Sequence, residues 1–364
     1  MPQGALIVST DFTDFSDLPG AVGTPPQHYG NPLGEQKLLA AGSAIVDLSD
    51  RAVISLTGPD RLTWLDSLTS QSVAHLQPGQ SSETLQLDPT GRIEYAVRLF
   101  DDGVTTWLFV DGAEAEPLVT WLTRMRFMLR VEIADETATY ATIGTLGAAP
   151  DAAAPNGVPL VWRDPWGSVA VGGHQYFTGR EHPAAAWTYS EVLVARGAVD
   201  ASALHVAGTL ALEALRIAAW RPRFATEVDE RSIPHELDWL RSAVHLSKGC
   251  YRGQETVAKV HNLGHPPRRL VMLHLDGSDG VVPDAGSPVS LDGSEIGTVT
   301  SSALHYELGP IALAVVKRSV DPAATLTVTA DELEIAAAQE VIVPPSAGAE
   351  ANVPRLPRLG VVKR

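Results

Sequence analysis

One segment gathers most of the residues able to do chemistry. Lys248-Gly249-Cys250-Tyr251-Arg252-Gly253-Gln254-Glu255 contains the sole cysteine of the 364-residue chain. A thiol between Lys and Arg has its thiolate favoured, because nearby positive charge pulls the pKa down from about 8.5. Gly249 and Gly253 permit a tight backbone around it. Such a thiolate serves as a nucleophile, a transient cluster ligand or a redox-sensitive group, and residue types do not separate these. Tyr251 offers an aromatic face that can stack on a ring or fill the core. Gln254 and Glu255 suit structural roles, with Glu255 pairing Lys259 if the stretch is helical.

Other chemistries find little support. A single cysteine excludes an intrachain disulfide and a cluster held by this chain's thiolates alone. His261 and His265 have the i,i+4 spacing of a zinc pair, but Gly264 and Pro266-Pro267 interrupt a helix there, so no metal is expected. No nucleophile-elbow pattern and no phosphate-cradling glycine loop occur. The net charge of −16 disfavours direct nucleic-acid binding. Between Arg216 and Arg269, however, ten basic residues face six acidic ones, which suits an anionic ligand or partner near the cysteine. No apolar run approaches the roughly 20 residues of a membrane span, and Met1-Pro2-Gln3-Gly4 lacks a signal-peptide pattern, so a cytoplasmic location is expected.

The elements that must position the motif follow from periodicity. Residues 1–30 read as an irregular lead-in, with a strand possible at Ala5–Val8. A short helix is expected near Gly34–Ala41, then a strand Val53–Thr57. Thr57-Gly58-Pro59-Asp60 supplies a turn and cap for a helix with Leu62, Leu65 and Leu68 on one face. Ser82–Leu87, Arg92–Phe100 and Val104–Val110 alternate as an antiparallel meander, and a helix carries Leu118, Trp121, Leu122, Met125 and Leu129. A surface loop over Gly144–Pro159 precedes strands at Leu160–Trp162 and Val169–Val171. Helices are expected across His205–Ala218 and from about Pro234, with Leu237 and Leu240 inward. Short alternating runs from Arg269 predict a small all-β barrel or sandwich. The organisation is thus an α+β region over 31–265, a β-barrel over 266–344 and a flexible tail over 345–364.

At Lys248–Glu255 the chain resembles the YgfZ-type tetrahydrofolate-binding proteins of iron–sulfur cluster maintenance, whose hallmark K-G-C-[FY]-x-G-Q-E is matched at every position. A wider likeness to the folate-dependent aminomethyltransferases, the glycine-cleavage T-protein group, runs from about His28 to Val343. It rests on His28-Tyr29-Gly30, Val46-Asp47-Leu48-Ser49, Leu56-Thr57-Gly58-Pro59-Asp60, Leu76-Gln77-Pro78-Gly79, Asp88-Pro89-Thr90-Gly91 and Leu215-Arg216-Ile217. The resemblance implies two interleaved α+β domains plus a C-terminal β-barrel around a central folate pocket, with tetrahydrofolate or a derivative as cofactor. It implies iron–sulfur enzymes or cluster-assembly proteins as partners, including cluster-dependent tRNA-modifying enzymes. Cys250 and Lys248 are then the catalytic candidates. Lys248, Tyr251, Tyr95, Arg216 and Trp220 are the cofactor-binding ones, and Gly249, Arg252, Gly253, Gln254 and Glu255 complete the motif.

Two departures matter. Where the aminomethyltransferases carry adjacent aspartates, this chain reads Gly91-Arg92-Ile93-Glu94-Tyr95-Ala96, and a tyrosine with a pKa near ~10 is a poor base at neutral pH. Where many of them read L-R-L-E-A and hold the pterin with that Glu, Ala218 stands, which either weakens folate binding or moves the contact to another acid such as Glu213 or Glu227. The expectation is a folate-binding accessory protein with Cys250 as its functional thiol. The alternatives are a folate-dependent aminomethyltransferase or demethylating enzyme, and a binding module that has lost folate.

Overall fold

The computed structural model describes residues 14–147, 151–278 and 280–351. Helix α1 (Pro32–Ala40) begins where Asn31 caps the Gly34 amide and Pro32 occupies the first turn. Strand β1 (Ile45–Asp47) follows, then β2 (Ala52–Thr57), α2 (Arg61–Leu68), β3 (Ser81–Leu87), β4 (Ile93–Asp101), β5 (Thr105–Val110), α3 (Ala115–Arg126) and β6 (Glu132–Asp135). Strands β2 to β6 form an antiparallel sheet in the order β3-β4-β5-β2-β6. The chain then returns to β1. Strands β7 (Tyr140–Thr145), β8 (Val161–Arg163), β9 (Ser190–Ala195) and β10 (Val206–Ala207) complete a second sheet, β10-β1-β7-β9-β8. The first sheet is thus inserted between two halves of the second, and the α+β interleaving is real.

Helix α4 (Thr209–Ala218), α5 (Phe224–Glu227) and α6 (Gln254–Leu263) lead to β11 (Arg268–Leu275), β12 (Pro288–Leu291), β13 (Ser294–His305), β14 (Gly309–Lys317), β15 (Leu326–Ala330) and β16 (Leu333–Val341). These six strands close into a barrel, because β11 pairs with both β14 and β16. Closure removes both sheet edges, and the barrel buries its own core of Val271, Leu273, Val289, Val299, Val316 and Val328. A larger central core joins both sheets and α4, and takes in Trp162, Trp166, Trp187, Trp220 and Trp239.

Several local expectations are corrected. Val169–Val171 is coil, with Val171 exposed and its neighbours tied to Arg241 and Leu240 by single backbone bonds. The segment at His205 starts as β10, and the helix begins only after Gly208, where a Cβ would strike the Gln27 carbonyl at 2.1 Å. Pro234–Leu237 is one 3₁₀ turn, stopped by Asp238 at φ 57°, although Leu237 and Leu240 are buried as expected. Leu129 lies beyond α3, which ends at Phe127 with φ 48° and leaves Phe127 and Met128 exposed. Asp60 makes no side-chain cap for α2, because its carboxylate binds Arg130 at 2.7 Å. The strand at Ala5–Val8 and most of the tail lie outside the described residues. Of the tail, residues 345–351 are anchored: Ala347 is buried, and Glu350 and Ala351 donate to the carbonyls of His261 and Asn262 in α6.

Candidate functional site

The motif loop is built onto the β3–β4 hairpin. Asp88 accepts hydrogen bonds from the amides of Thr90 and Arg92, which shapes a tight turn with Gly91 at φ 83°. Gly253, also at φ 83°, packs on that turn so closely that a Cβ would lie 2.7 Å from the Asp88 carbonyl. Only glycine fits at this contact.

Every cation of the loop has a structural partner. The Lys248 ammonium donates to the carbonyls of Asp66, Thr69 and Gln71 at 2.6, 2.9 and 2.7 Å, with Asp66 Oδ1 a further 3.3 Å away. An ammonium has three protons, so none is left for a ligand. Burial draws the Lys248 pKa down, and Asp66 opposes that shift. Arg252 reaches Glu94 at 3.2 Å, and Gln86 donates to the same Glu94 oxygen at 2.7 Å. Gln254 donates to the Lys248 carbonyl, and no ion pair joins Glu255 to Lys259 although both lie on α6. Tyr251 is buried with its ring 5.5 Å from the Lys248 ammonium. Cys250 is turned outward, as is Glu255, and Gly249 beside the cysteine has open space where a Cβ would be.

The principal cavity lies elsewhere. It has a volume of about 560 Å³, within the range of small-molecule sites, and forms where β4, β9 and α4 meet. Trp162, Trp187 and Tyr189 supply aromatic walls, and Arg51, Arg98, Arg221 and Arg223 supply cations. Glu191 on β9 is its buried centre: one carboxylate oxygen receives Arg98 at 2.9 Å, the Tyr189 hydroxyl at 3.1 Å, and Arg51. The other Glu191 oxygen has no partner, and neither do Arg221 Nη1 and Arg223 Nε. Burial lowers the Arg98 guanidinium to about 10, helped by the charge of Arg51. Burial would raise Asp111, but Arg98 and Arg51 outweigh it and hold the carboxyl below its usual value. Glu213 is likewise held at about 2 by Arg216 against the cost of its burial.

No residue of Lys248–Glu255 lines this cavity. Of the expected cofactor-binding residues only Arg216 does, and its guanidinium is taken up by Glu213, Glu227, Ser301 and the Arg221 carbonyl. Glu213 shares the lining, whereas Glu227 is turned to the barrel residues Thr300 and Ser301. Tyr95 stacks on Phe224 at 6.3 Å, and Trp220, at φ 57°, is buried against His182 and Phe177. The cavity residues that sequence reasoning missed left one faint signal, a polar side chain at an inward position of a strand. Glu191 leads into the apolar run Val192-Leu193-Val194 and is fully buried, whereas Arg98 falls on the polar phase of β4 and gave no such signal.

Among the described residues no cluster of His, Cys, Asp or Glu has metal-holding geometry, and His265 lies beyond the end of α6, within 2.8 Å of the Ala347 carbonyl. No helix there is long and apolar enough to cross a membrane.

Comparison with known proteins agrees with the architecture. Residues 268–345 match the glycine cleavage T-protein C-terminal barrel domain. A chloroplastic protein of Arabidopsis thaliana that bears a transferase name is 27% identical over 304 residues, covering 74% of this chain and 65% of its own length. Aminomethyltransferases of Symbiobacterium thermophilum and Streptomyces coelicolor are 24% and 26% identical, over 78% and 82% of this chain and 80% and 83% of their own. The glycine cleavage system aminomethyltransferase T of Bartonella henselae superposes with a TM-score of 0.68 at 17% identity, over 88% of this chain and 91% of that one. The chain therefore has the aminomethyltransferase T-protein fold, and it closes on a C-terminal barrel of the glycine cleavage T-protein type.

Proposed function

We propose that the central cavity binds a reduced folate and that the protein moves a one-carbon unit on it, as the name of its aminomethyltransferase relatives suggests. The observation that carries this reading is the cavity lining. Three aromatic side chains can pack a fused heteroaromatic ring and keep water from it. The unpartnered Glu191 oxygen matches the paired N–H donors of such a ring, and the unpartnered nitrogens of Arg221 and Arg223 match carboxylates. A bound reduced folate supplies two nitrogens able to carry a one-carbon unit.

Thermal melting with tetrahydrofolate tests it. A ligand at 100 times its dissociation constant adds about 2.7 kcal/mol of stability. Glu191→Gln, which keeps the shape but reverses half the hydrogen-bonding pattern, should abolish the shift. A flat wild-type titration ends the proposal.

A second reading, support of iron–sulfur enzymes including those that modify tRNA, is favoured by Cys250. Its thiol is exposed on a braced loop, while Glu94 on β4 is already engaged by Gln86 and Arg252. Cys250→Ser should then lower cluster-dependent enzyme activity in cells while leaving the tetrahydrofolate shift intact. Unchanged activity would remove this reading and leave the first in place.

A further inference from the structure

A small annexe of about 40 Å³, room for roughly one water molecule, adjoins the main cavity and shares Arg98, Asp111, Arg221 and Arg223 with it. Ala96 of β4 and Phe224 form its apolar side, and Glu114, just before α3, enters it. Its other carboxylates are engaged: Glu83 binds Arg221 at 2.6 Å and Ser242 at 2.7 Å, and Asp111 lies 3.4 Å from Arg98. Among the described residues Glu114 alone of these acids pairs with no cation and no other side chain, its carboxylate accepting only from the Asp111 backbone amide. It sits close enough to Tyr95 for its charge to act on that hydroxyl, so a carboxylate with no cation partner stands beside the stretch of β4 whose own acid is tied to Arg252.

We propose that Glu114 is the general base of one-carbon transfer, supplied from the start of α3 in place of an acid on β4. The proposal rests on the folate reading of the cavity. In each half of the transfer one carbon–nitrogen bond to the acceptor forms and one carbon–heteroatom bond of an aminomethyl donor breaks. The acceptor N–H proton passes to the Glu114 carboxylate and from it to the departing amine or thiolate. The carboxylate is regenerated, and no oxidant or reductant is consumed.

The surroundings suit this task. Burial raises the Glu114 carboxyl to about 7 and the neighbouring Asp111 charge adds to that, while Arg98, the hydrogen bond from the Asp111 amide and Arg51 oppose it. Glu83 on β3, Arg221 and Arg223 after α4, and Tyr95 on β4 are the remaining charged or titratable groups around it. A base poised near neutral pH combines a useful ionised fraction with a useful driving force.

The test uses the full chain as wild type, Glu114→Gln and Glu114→Asp. Tetrahydrofolate melting reports the cavity. Turnover is followed as consumption of 5,10-methylenetetrahydrofolate with ammonium and a dithiol, the direction in which Glu114 acts as the acid. Glu114→Gln should lower kcat about 100-fold or more with KM within about 2-fold, and should remove a fall in wild-type rate as pH rises through about 7. Glu114→Asp should recover part of the loss. Without ligand, the raised carboxyl makes wild type less stable than Glu114→Gln at pH 8, because the folded state must ionise a buried acid, and the two should melt together at pH 4.

Wild type unshifted by tetrahydrofolate would overturn the cavity reading and this proposal with it. A normal shift with unaltered kcat and pH profile in Glu114→Gln would overturn the role of Glu114 alone. A normal shift with no wild-type turnover would overturn one-carbon transfer, and with it the role of Glu114, while leaving folate binding in place.

Discussion

The Lys248–Glu255 loop and the central cavity are both dense in charge, yet they use it in opposite ways. In the loop, Lys248 spends all three protons on backbone carbonyls and Arg252 spends its guanidinium on Glu94. In the cavity, Arg51 and Arg98 converge on one oxygen of Glu191, and atoms of Glu191, Arg221 and Arg223 remain without partners. A buried polar atom left unpaired costs free energy, and on the folate proposal the ligand supplies the missing partners of these three side chains. The loop is a clamp that presents a thiol, and the cavity is the receptor in the folate proposal.

The contrast can be broken at either end. The largest effect is expected from Arg221→Met, which strands the buried carboxylates of Glu83 and Asp164 and should cost about 3–5 kcal/mol in urea unfolding. It should also weaken tetrahydrofolate stabilisation. Lys248→Met should cost about 2–3 kcal/mol through the carbonyls it leaves bare. The tetrahydrofolate shift should survive that change, and its loss at unchanged stability would place Lys248 in the ligand site after all.

The loop side should also be the more sensitive to acid. His235 is buried beneath α6, 3.1 Å from the Val257 carbonyl, and burial pulls its pKa to about 3. Below about 6.5 the unfolded chain gains a proton that folded His235 refuses, so stability present at neutral pH is lost as pH falls toward 3. Between pH 6.5 and 5 this amounts to roughly 2 kcal/mol in unfolding free energy, and His235→Gln should flatten the dependence. The smallest effect is expected from Cys250→Ser. Its exposed thiol should contribute less than about 0.5 kcal/mol, and alkylation of the folded protein should go to completion without unfolding. A thiol protected in the native state would contradict the outward placement.

Much of the fold was legible because its signals are local. The β3–β4–β5 meander follows from alternation around Asp88-Pro89-Thr90-Gly91 and Asp101-Asp102-Gly103, and the barrel from short runs separated by turn residues. Errors fell where distant contacts override local preference. Val169–Val171 has the residues of a strand but no neighbouring strand to pair with, and Leu129 fits a helical period beyond a backbone reversal at Phe127. The site was less legible. The motif drew attention to residues adjacent in sequence, whereas the cavity gathers Arg51, Arg98, Trp162, Trp187 and Glu191 from strands and turns up to 140 residues apart.

By itself the sequence determined the β3–β4–β5 meander, the all-β character of the end of the chain and the presence of a lone thiol in a glycine-flanked basic loop, because each depends on periodicity or residue type. Only the tertiary structure decided which charges are free. The closing of carbonyls 66–71 around Lys248, the insertion of one sheet into the other and the meeting of β4, β9 and α4 are long-range events. They determine whether an ammonium or a carboxylate has an internal partner or is left to meet a ligand.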